Sequence, residues 1–193
     1  MSAMNNFDQH DRRGLTFTEL MIALAIFGVI MAVIFGFLSG ARNSYGDTRE
    51  RAQYQQSMRA VMSLVTRELR STGCDPSGAG FDYFAVADDD QMVCRMDLNG
   101  DADFTDLGPD ENISYTFVNG TLVRNNGTGD QVILRGITNM AFTYFDANGT
   151  QLAAVPLTPA NRALVRYVGI NIEGETDRGE PVVYTTRVAL RNG

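Results

Sequence analysis

The chain lacks lysine entirely, and it has very little histidine or cysteine. Its 193 residues include 16 basic residues, all of them arginine, one histidine at position 10 and two cysteines. Without lysine there is no side-chain amine for a Schiff base. With His10 alone near the N-terminus, the rest of the chain has no imidazole to act as a general base or to bind a metal. Serine, threonine and cysteine remain, but no base to activate them is evident, so these absences argue against an enzyme.

Positive charge is also scarce. The 16 arginines are outnumbered by 23 acidic residues, which gives a net charge of −7. Proteins that bind nucleic acids need a basic face, so no nucleic acid is expected among the partners. With 44% hydrophobic residues, the chain is long enough for about one domain once a membrane anchor is set aside.

Residues 20–38 form an apolar run of 19 residues without a charge or a proline. As an α-helix rising about 1.5 Å per residue, it would reach roughly 28 Å, close to the thickness of the hydrocarbon core of a bilayer. Arg12 and Arg13 precede it, so we expect the N-terminus to be cytoplasmic and the C-terminal part to be exported. A secretory signal peptide, cleaved near the SGAR stretch at residues 39–42, is the alternative, although its apolar region is usually only about 7–15 residues long.

Beyond the apolar run, hydrophobic residues recur at every third or fourth position. They are Met58, Val61, Met62, Val65 and Leu69. Charged residues such as Glu68 lie between them, which is typical of an amphipathic helix. The first proline is Pro76, so we predict one helix of about 55 residues, from near Thr16 to near Arg70, ending at a cap that includes Gly73.

The residues before the apolar run form a recognisable motif. Arg12-Arg13-Gly14, followed by Leu15-Thr16-Phe17-Thr18-Glu19, resembles the processing site of type IV prepilins and type II secretion pseudopilins. The resemblance implies that prepilin peptidase cuts between Gly14 and Leu15, that the new N-terminus is methylated, and that Glu19 is the fifth residue of the mature chain. Leu15 departs from the family, which usually has phenylalanine at this position.

A glutamate at the start of a membrane span needs a physical explanation. A carboxylate at the centre of a helix in lipid costs about 2.5–3.5 kcal/mol, and less near the interface. Cleavage would create a cationic amine on Leu15, and pairing with this amine in a neighbouring subunit would set the axial register of packed helices. We therefore interpret Glu19 as an assembly contact. The alternative is that Glu19 only reaches the headgroups from a helix N-terminus, where a negative charge is favoured.

From about residue 74 the hydrophobic pattern becomes alternating. Asn119-Gly120 separates residues 113–118 from 121–124, which predicts a β-hairpin. Further strands are predicted over residues 131–134, 137–145, 164–172 and 181–190. Strands that follow one long helix imply an α+β fold, with the helix packed on an antiparallel sheet.

The predicted chain therefore has four parts. They are a cleaved leader (residues 1–14), a transmembrane or filament-core helix (15–40), its amphipathic continuation (41–73) and an exported β-rich domain (74–193). Within the last part, residues 137–145 and the turn after them resemble the PilW-like and J-type minor subunits of the pilin and pseudopilin superfamily.

Both cysteines, Cys74 and Cys94, lie in the predicted exported domain. A pair of cysteines in an oxidising compartment is more often a structural disulfide than a catalytic feature. A bridge between them would close a loop of about 20 residues, which is worth roughly 3 kcal/mol in the chain-entropy model. Two buried free thiols are the alternative.

Acidic residues are concentrated between positions 88 and 111, where there are nine acids and one arginine. Oxygen-bearing side chains recur there at near-alternate positions, a pattern typical of a loop that binds calcium. The predicted ligands are Asp97, Asn99, Asp101, Asp103 and Asp106. The opening of this loop resembles those of EF-hand-like and dockerin-like calcium loops.

The acidic loop also departs from those calcium loops. Ala102 is at the sixth position, where glycine usually makes the sharp turn, and Gly108 is at the twelfth, where a bidentate acid is usual. Asp106, Asp110 and Glu111 are the acids available to replace that ligand. One interpretation is a calcium ion that braces the loop, and the other is a solvated acidic loop without a metal.

We predict a minor subunit of a type IV pilus that helps to prime the filament or lies at its tip. Its partners would be prepilin peptidase, the bacterial inner membrane, and other major and minor pilins or pseudopilins. A minor pseudopilin of a type II secretion system is the first alternative. An uncut membrane-tethered calcium-binding or adhesive domain is the second, and an enzyme built from carboxylates such as those of residues 88–90 is the third.

Overall fold

The computed structural model describes residues 16–106, 108, 110–153, 155–176 and 179–192, without the side chains of residues 43, 44 and 47. The predicted leader and the predicted cleavage site at Gly14 and Leu15 lie outside these residues. The chain forms two compact units, Met1–Gly46 and Asp47–Gly193. The first unit contains the N-terminal part of a long helix, and the second contains the rest of that helix and all the strands.

The long helix, α1, spans Phe17–Ser71 and has 55 residues. It confirms the single helix predicted from the absence of proline and from the change in hydrophobic pattern. At its C-terminus the backbone turns at Gly73, whose φ is +76°, a left-handed conformation that favours glycine. The Gly73 amide donates to the carbonyl of Arg95 over 2.9 Å, so the end of α1 is tied directly to the sheet domain.

Eight strands and one short helix follow α1 in the described part of the chain. The strands are β1 (Phe84–Ala87), β2 (Gln91–Arg95), β3 (Asn112–Val118), β4 (Thr121–Asn125), β5 (Asp130–Arg135), β6 (Ile137–Phe145), β7 (Tyr167–Glu175) and β8 (Pro181–Ala189). The short helix, α2, is Pro159–Arg162. The first five strands form one antiparallel sheet in sequence order, and β6, β7 and β8 form a second. The fold is α+β, as predicted.

The predicted hairpin is confirmed. Asn119 and Gly120 have φ values of +48° and +70°, as a two-residue turn of the primed type requires, and Val118 pairs with Thr121 across it. The prediction missed β1 and β2, which are short. Residues 88–90 connect them, and the alternation of Met92 and Cys94 with their neighbours was the available signal.

The strand predicted over residues 164–172 begins later than expected. Leu164 and Val165 donate backbone hydrogen bonds to Asn161 and Arg162 over 3.1 and 3.2 Å, so they belong to the turn after α2 instead of to β7. Val165 is nevertheless buried. Its apolar side chain contributes to the core, but its backbone does not continue the strand.

A single hydrophobic core joins α1 to both sheets. From α1 it receives the buried residues Met58, Met62, Val65 and Leu69, while Val61, the fifth residue of the predicted stripe, is half-buried against it. The first sheet contributes residues such as Tyr115 and Leu122, and the second contributes residues such as Phe142 and Ile170. Burial of this one face explains why α1 needs alternating polar and apolar positions only in its second half.

One charged group lies at the buried side of α1. The Glu68 side chain is only 12% exposed and accepts a hydrogen bond from Arg124 Nη2 at 2.9 Å. The Tyr115 hydroxyl also donates to Glu68, and Arg124 donates to Asp110 Oδ2 at 2.6 Å. The helical pattern had grouped Glu68 with the solvent-facing charges. In the structure, Glu68 instead links α1 to β3 through Tyr115 and to β4 through Arg124, and Arg124 extends the link to Asp110 in the loop before β3.

Candidate functional site

The start of α1 is organised around Glu19. The Thr16 carbonyl accepts the first helical hydrogen bond, from Leu20, so Thr16 is the N-cap. Thr16 donates to Glu19 Oε2 from its backbone amide over 2.9 Å and from its hydroxyl over 2.8 Å. The Glu19 amide donates to Thr16 Oγ1 over 3.3 Å. This arrangement is a capping box, in which two donors at the helix N-terminus are satisfied reciprocally.

The interpretation of Glu19 from sequence did not include this capping box. The signal was present, because a threonine followed three residues later by glutamate, directly before an apolar run, is its sequence signature. The carboxylate therefore has a local structural role. Both hydrogen bonds from Thr16 reach Oε2, and since a carboxylate can accept about four hydrogen bonds, Glu19 retains the capacity to accept a further donor.

The helix that follows is apolar on every side. The segment Phe17–Arg42 is 26 residues long, with a mean hydropathy of 2.8 in its most apolar part, so it is long and apolar enough to cross a membrane. Each residue from 16 to 40 is exposed in its own unit, including Phe27, Ile34 and Phe37. An apolar surface this large marks a site of contact with lipid or with other proteins.

The acidic loop lies between β2 and β3, and Asp97 organises its first turn. Asp97 is fully buried. Its carboxylate accepts hydrogen bonds from the Gly100 amide at 2.5 Å, the Ala102 amide at 3.1 Å and the Ser77 hydroxyl at 2.7 Å. Desolvation opposes ionisation, but these hydrogen bonds prevail and lower the pKa of Asp97. Its oxygens are therefore already used by the protein itself.

Three further predicted ligands also make local turns. Asn99 Oδ1 accepts from the amide of residue 101, Asp101 Oδ1 from that of residue 103, and Asp103 Oδ1 from that of Thr105, all between 2.8 and 3.0 Å. Ala102 has a φ of +77°. The residue that replaces the usual glycine therefore still adopts the left-handed conformation of a sharp turn.

The structure brings two of the five predicted ligands together with a residue outside that set. Carboxylate oxygens of Asp101, Asp106 and Glu111 all lie within 4.8 Å of one another. Asp101 is exposed, Asp106 is half-buried, and Glu111 is completely buried. Asp97 and Asp103 are not members of this three-carboxylate cluster. The sequence named Glu111 only as one of three acids available to replace the missing twelfth-position ligand, because it comes from the far end of the loop, next to β3.

The three aspartates at residues 88–90 form the turn between β1 and β2. Their backbone carbonyls accept hydrogen bonds from Tyr144, Phe142 and Phe117, at 2.9, 2.8 and 2.8 Å. These bonds hold the turn against β6 and β3. The structure thus gives the acidic turn an architectural role in joining the two sheets.

Cys74 and Cys94 are free thiols in the structure. Cys94 is buried, and burial raises its pKa to about 12, which favours the protonated thiol over the reactive thiolate. The loop that a disulfide would close is instead closed by backbone hydrogen bonds, from Gly73 to Arg95 at 2.9 Å and from Asp97 to Cys74 at 2.7 Å. The disulfide stays a prediction.

Comparison with known proteins gives two matches, both partial. Residues 9–35 match the prokaryotic N-terminal methylation motif. The pilin-like protein PilA3 of Thermus thermophilus is 32% identical over 62 residues, which are 32% of this chain and 27% of that protein. The chain therefore matches about a quarter of the length of this relative.

Proposed function

We propose that this chain, a member of the type IV pilin and pseudopilin superfamily by its N-terminal motif and its pilin-like relative, is a minor subunit of a type IV pilus. It would be held in the inner membrane by α1, cut by prepilin peptidase after Gly14, and then incorporated at or near the tip, where it would prime assembly. The observation that carries this proposal is an exposed glutamate at the head of a helix that is apolar on every side.

The apolar half of α1, Phe17–Arg42, supports association with other helices of the same kind. Its side chains are exposed in the isolated chain, and they can be covered either by lipid or by the apolar helices of other subunits. Exchange between these two environments is favourable only if the polar group at the helix start remains satisfied. Glu19 is the charged group at the helix start, so its carboxylate must have hydrogen-bond or ionic partners in both environments.

The capping box alone does not explain why residue 19 is charged. Glutamine at the same position can close a capping box with Thr16, and it avoids the cost of a carboxylate near lipid. A charge is useful if it also meets a cation. Cleavage before Leu15 would create such a cation on each subunit, and the remaining acceptor capacity of Glu19 allows it to bind the amine of a neighbouring chain while Thr16 still contributes its hydrogen bonds.

Two substitutions separate the two roles of this site. Glu19→Gln keeps the capping box and removes the charge, whereas Thr16→Ala removes the hydroxyl's hydrogen bonds of the cap and keeps the charge. Both variants should be expressed at the native level in the source cell. N-terminal peptide mapping by mass spectrometry, in cells with and without prepilin peptidase, should first show that each variant begins at Leu15 only when the peptidase is present. The amount of each variant in sheared filaments is then compared with the amount in membranes.

We expect Glu19→Gln to remain in the membrane and to be depleted from filaments by at least about tenfold, because a buried amine without its counter-ion is costly. Thr16→Ala should enter filaments at close to the native level. The opposite result, with Thr16→Ala excluded and Glu19→Gln incorporated, would show that Glu19 acts only as a cap. A native chain that keeps its leader in cells with an active peptidase would contradict the proposal as a whole.

The choice between a pilus and a secretion pseudopilus can be tested by deletion. Loss of surface pili and of pilus-dependent motility, with normal release of exoproteins, is the result we expect. The opposite pattern would assign the subunit to a secretion system. Complementation with the native chain, with Gly14→Ala as the uncleavable control, makes either result specific to this subunit.

A further inference from the structure

We propose that Asp101, Asp106 and Glu111 bind one calcium ion and that Glu111 is its buried anchor. These three residues define the Glu111 site. The site lies in the sheet domain, and the argument for it does not depend on a role in filaments. A negative result here would leave the proposed pilus function unchanged.

The first observation concerns the two oxygens of Glu111. Oε1 accepts hydrogen bonds from the amides of Leu98 and Asn99, at 2.8 and 3.2 Å. Oε2 is buried and has no hydrogen-bond partner among the described residues. Buried polar atoms are almost always satisfied, and a buried carboxylate oxygen without a partner is unfavourable. A cation in contact with Glu111 would remove this deficit.

The second observation is the repulsion between like charges in the cluster. Carboxylate oxygens of Asp101, Asp106 and Glu111 lie within 4.8 Å of one another, and partial burial reduces the screening between them. Asn99 Nδ2 donates to Asp101 at 2.9 Å and to Asp106 at 2.7 Å. This amide holds the two carboxylates in place, but it is neutral and leaves their charges uncompensated. A divalent cation would compensate them.

Calcium is the ion that best fits this set of donors. All three donors are carboxylate oxygens, the ligands of hard cations, and calcium accepts irregular arrangements of six to eight oxygens, whereas magnesium requires a near-ideal octahedron. Asp101 is exposed and Asp106 half-buried, so an ion can enter from solvent and reach Glu111. Water would supply the other ligands, as it commonly does in calcium loops.

The site also connects the loop to the rest of the domain. Glu111 Oε1 joins the two ends of the loop through Leu98 and Asn99. The preceding residue, Asp110, accepts a hydrogen bond from Arg124, which in turn donates to Glu68 on α1. Calcium at Glu111 would therefore brace both the loop and the junction between α1 and the first sheet.

The test is calcium binding to the full chain in detergent micelles. Isothermal titration with calcium chloride after treatment with EDTA should give one site per chain, and calcium should raise the midpoint of thermal unfolding. Glu111→Gln should weaken binding by at least about tenfold, which corresponds to about 1.4 kcal/mol. Asp106→Asn should also weaken binding, and because Asp106 is only half-buried it provides a second variant if Glu111→Gln does not fold.

Asp103→Asn is the matched control, because Asp103 is in the same loop but outside the cluster. It should bind calcium at close to the native affinity. If Asp103→Asn loses as much affinity as Glu111→Gln, the ligands follow the alternate positions of the sequence and the proposed set is wrong. Absence of binding at millimolar calcium, or equal stabilisation by magnesium, would overturn the assignment to calcium.

Discussion

In the apolar half of α1, Phe37 exposes 77% of its surface, whereas Leu69, in the amphipathic half, exposes none. The two residues belong to the same helix, with the same backbone hydrogen bonding. The apolar half has no polar face, so no single sheet could cover it. The amphipathic half has one apolar stripe, most of which packs into the core of the sheet domain. The comparison shows that two properties of a helix decide what it packs against. One is the amount of its apolar surface, and the other is how that surface is distributed around the helix axis.

The polar contacts of the two halves differ in the same way. Glu19 makes its hydrogen bonds with Thr16, three residues away. Glu68 makes its contacts with Tyr115 and Arg124, 47 and 56 residues away. Glu19, in the apolar half, is therefore satisfied locally and keeps the capacity to accept a further hydrogen bond. A glutamate in the amphipathic half is already committed to the fold.

The largest effect on stability is expected when Glu68 loses its partner. Arg124→Ala leaves a mostly buried carboxylate without its counter-ion, and breaking such a pair costs about 3–5 kcal/mol. The free energy of unfolding, measured by denaturant titration of the full chain in detergent, should fall by that amount. The double variant Glu68→Gln with Arg124→Met should recover much of the loss, and a neutral effect of Arg124→Ala alone would contradict the role assigned to this network.

A leucine substitution in each half tests the comparison directly. Leu69→Ala removes a fully buried side chain and should lower the free energy of unfolding by about 2–5 kcal/mol. Leu24, which is 61% exposed, is the matched residue. Leu24→Ala should change the stability of the sheet domain by less than about 0.5 kcal/mol. Equal losses in the two variants, measured under the same conditions, would mean that the halves are not energetically distinct.

The smallest effect is expected from glycine substitutions. Gly73 has a φ of +76°, and an added Cβ would lie 2.9 Å from Tyr83 Cγ. Gly73→Ala should therefore cost about 1–3 kcal/mol of stability, the range for strained backbone positions. Gly28 has no atom within 4 Å of an added Cβ, so Gly28→Ala should leave the thermal unfolding midpoint of the domain unchanged. If Gly73→Ala has the same free energy of unfolding as the native chain, the backbone at the end of α1 or the Tyr83 ring must be able to move to accommodate the added Cβ.

Local patterns predicted most of the elements. The length of α1 followed from the position of the first proline and from the change in hydrophobic pattern, and the β3–β4 hairpin followed from Asn119-Gly120. The bounds of β7 could not be predicted, because Val165 is buried like a strand residue while its backbone continues the turn after α2. Burial and strand pairing produce the same apolar signal in a sequence, and only the hydrogen bonds distinguish them.

The candidate sites divide in the same way. The methylation motif lies within a short segment, so the residue types and their spacing were sufficient to identify it, and the role of Glu19 as an assembly contact stays a prediction. The acidic loop was identified as a candidate metal site, but of its five predicted ligands only Asp101 and Asp106 lie in the three-carboxylate cluster. Asp97 and Asp103 make turns within the loop, and Glu111 joins Asp101 and Asp106 only because the loop returns to β3 beside its own start.

The sequence by itself determined the apolar helical segment, the capping box at its start, the amphipathic stripe and the α+β class, because each depends on residues within about two turns of helix or one hairpin of one another. Only the tertiary structure decided which charged side chains would become neighbours. Glu68 with Arg124, and Glu111 with Asp101 and Asp106, become neighbours when the strands pair and the loop closes. Electrostatic energy depends on distance in space and on exclusion of water, and neither quantity is encoded in spacing along the chain.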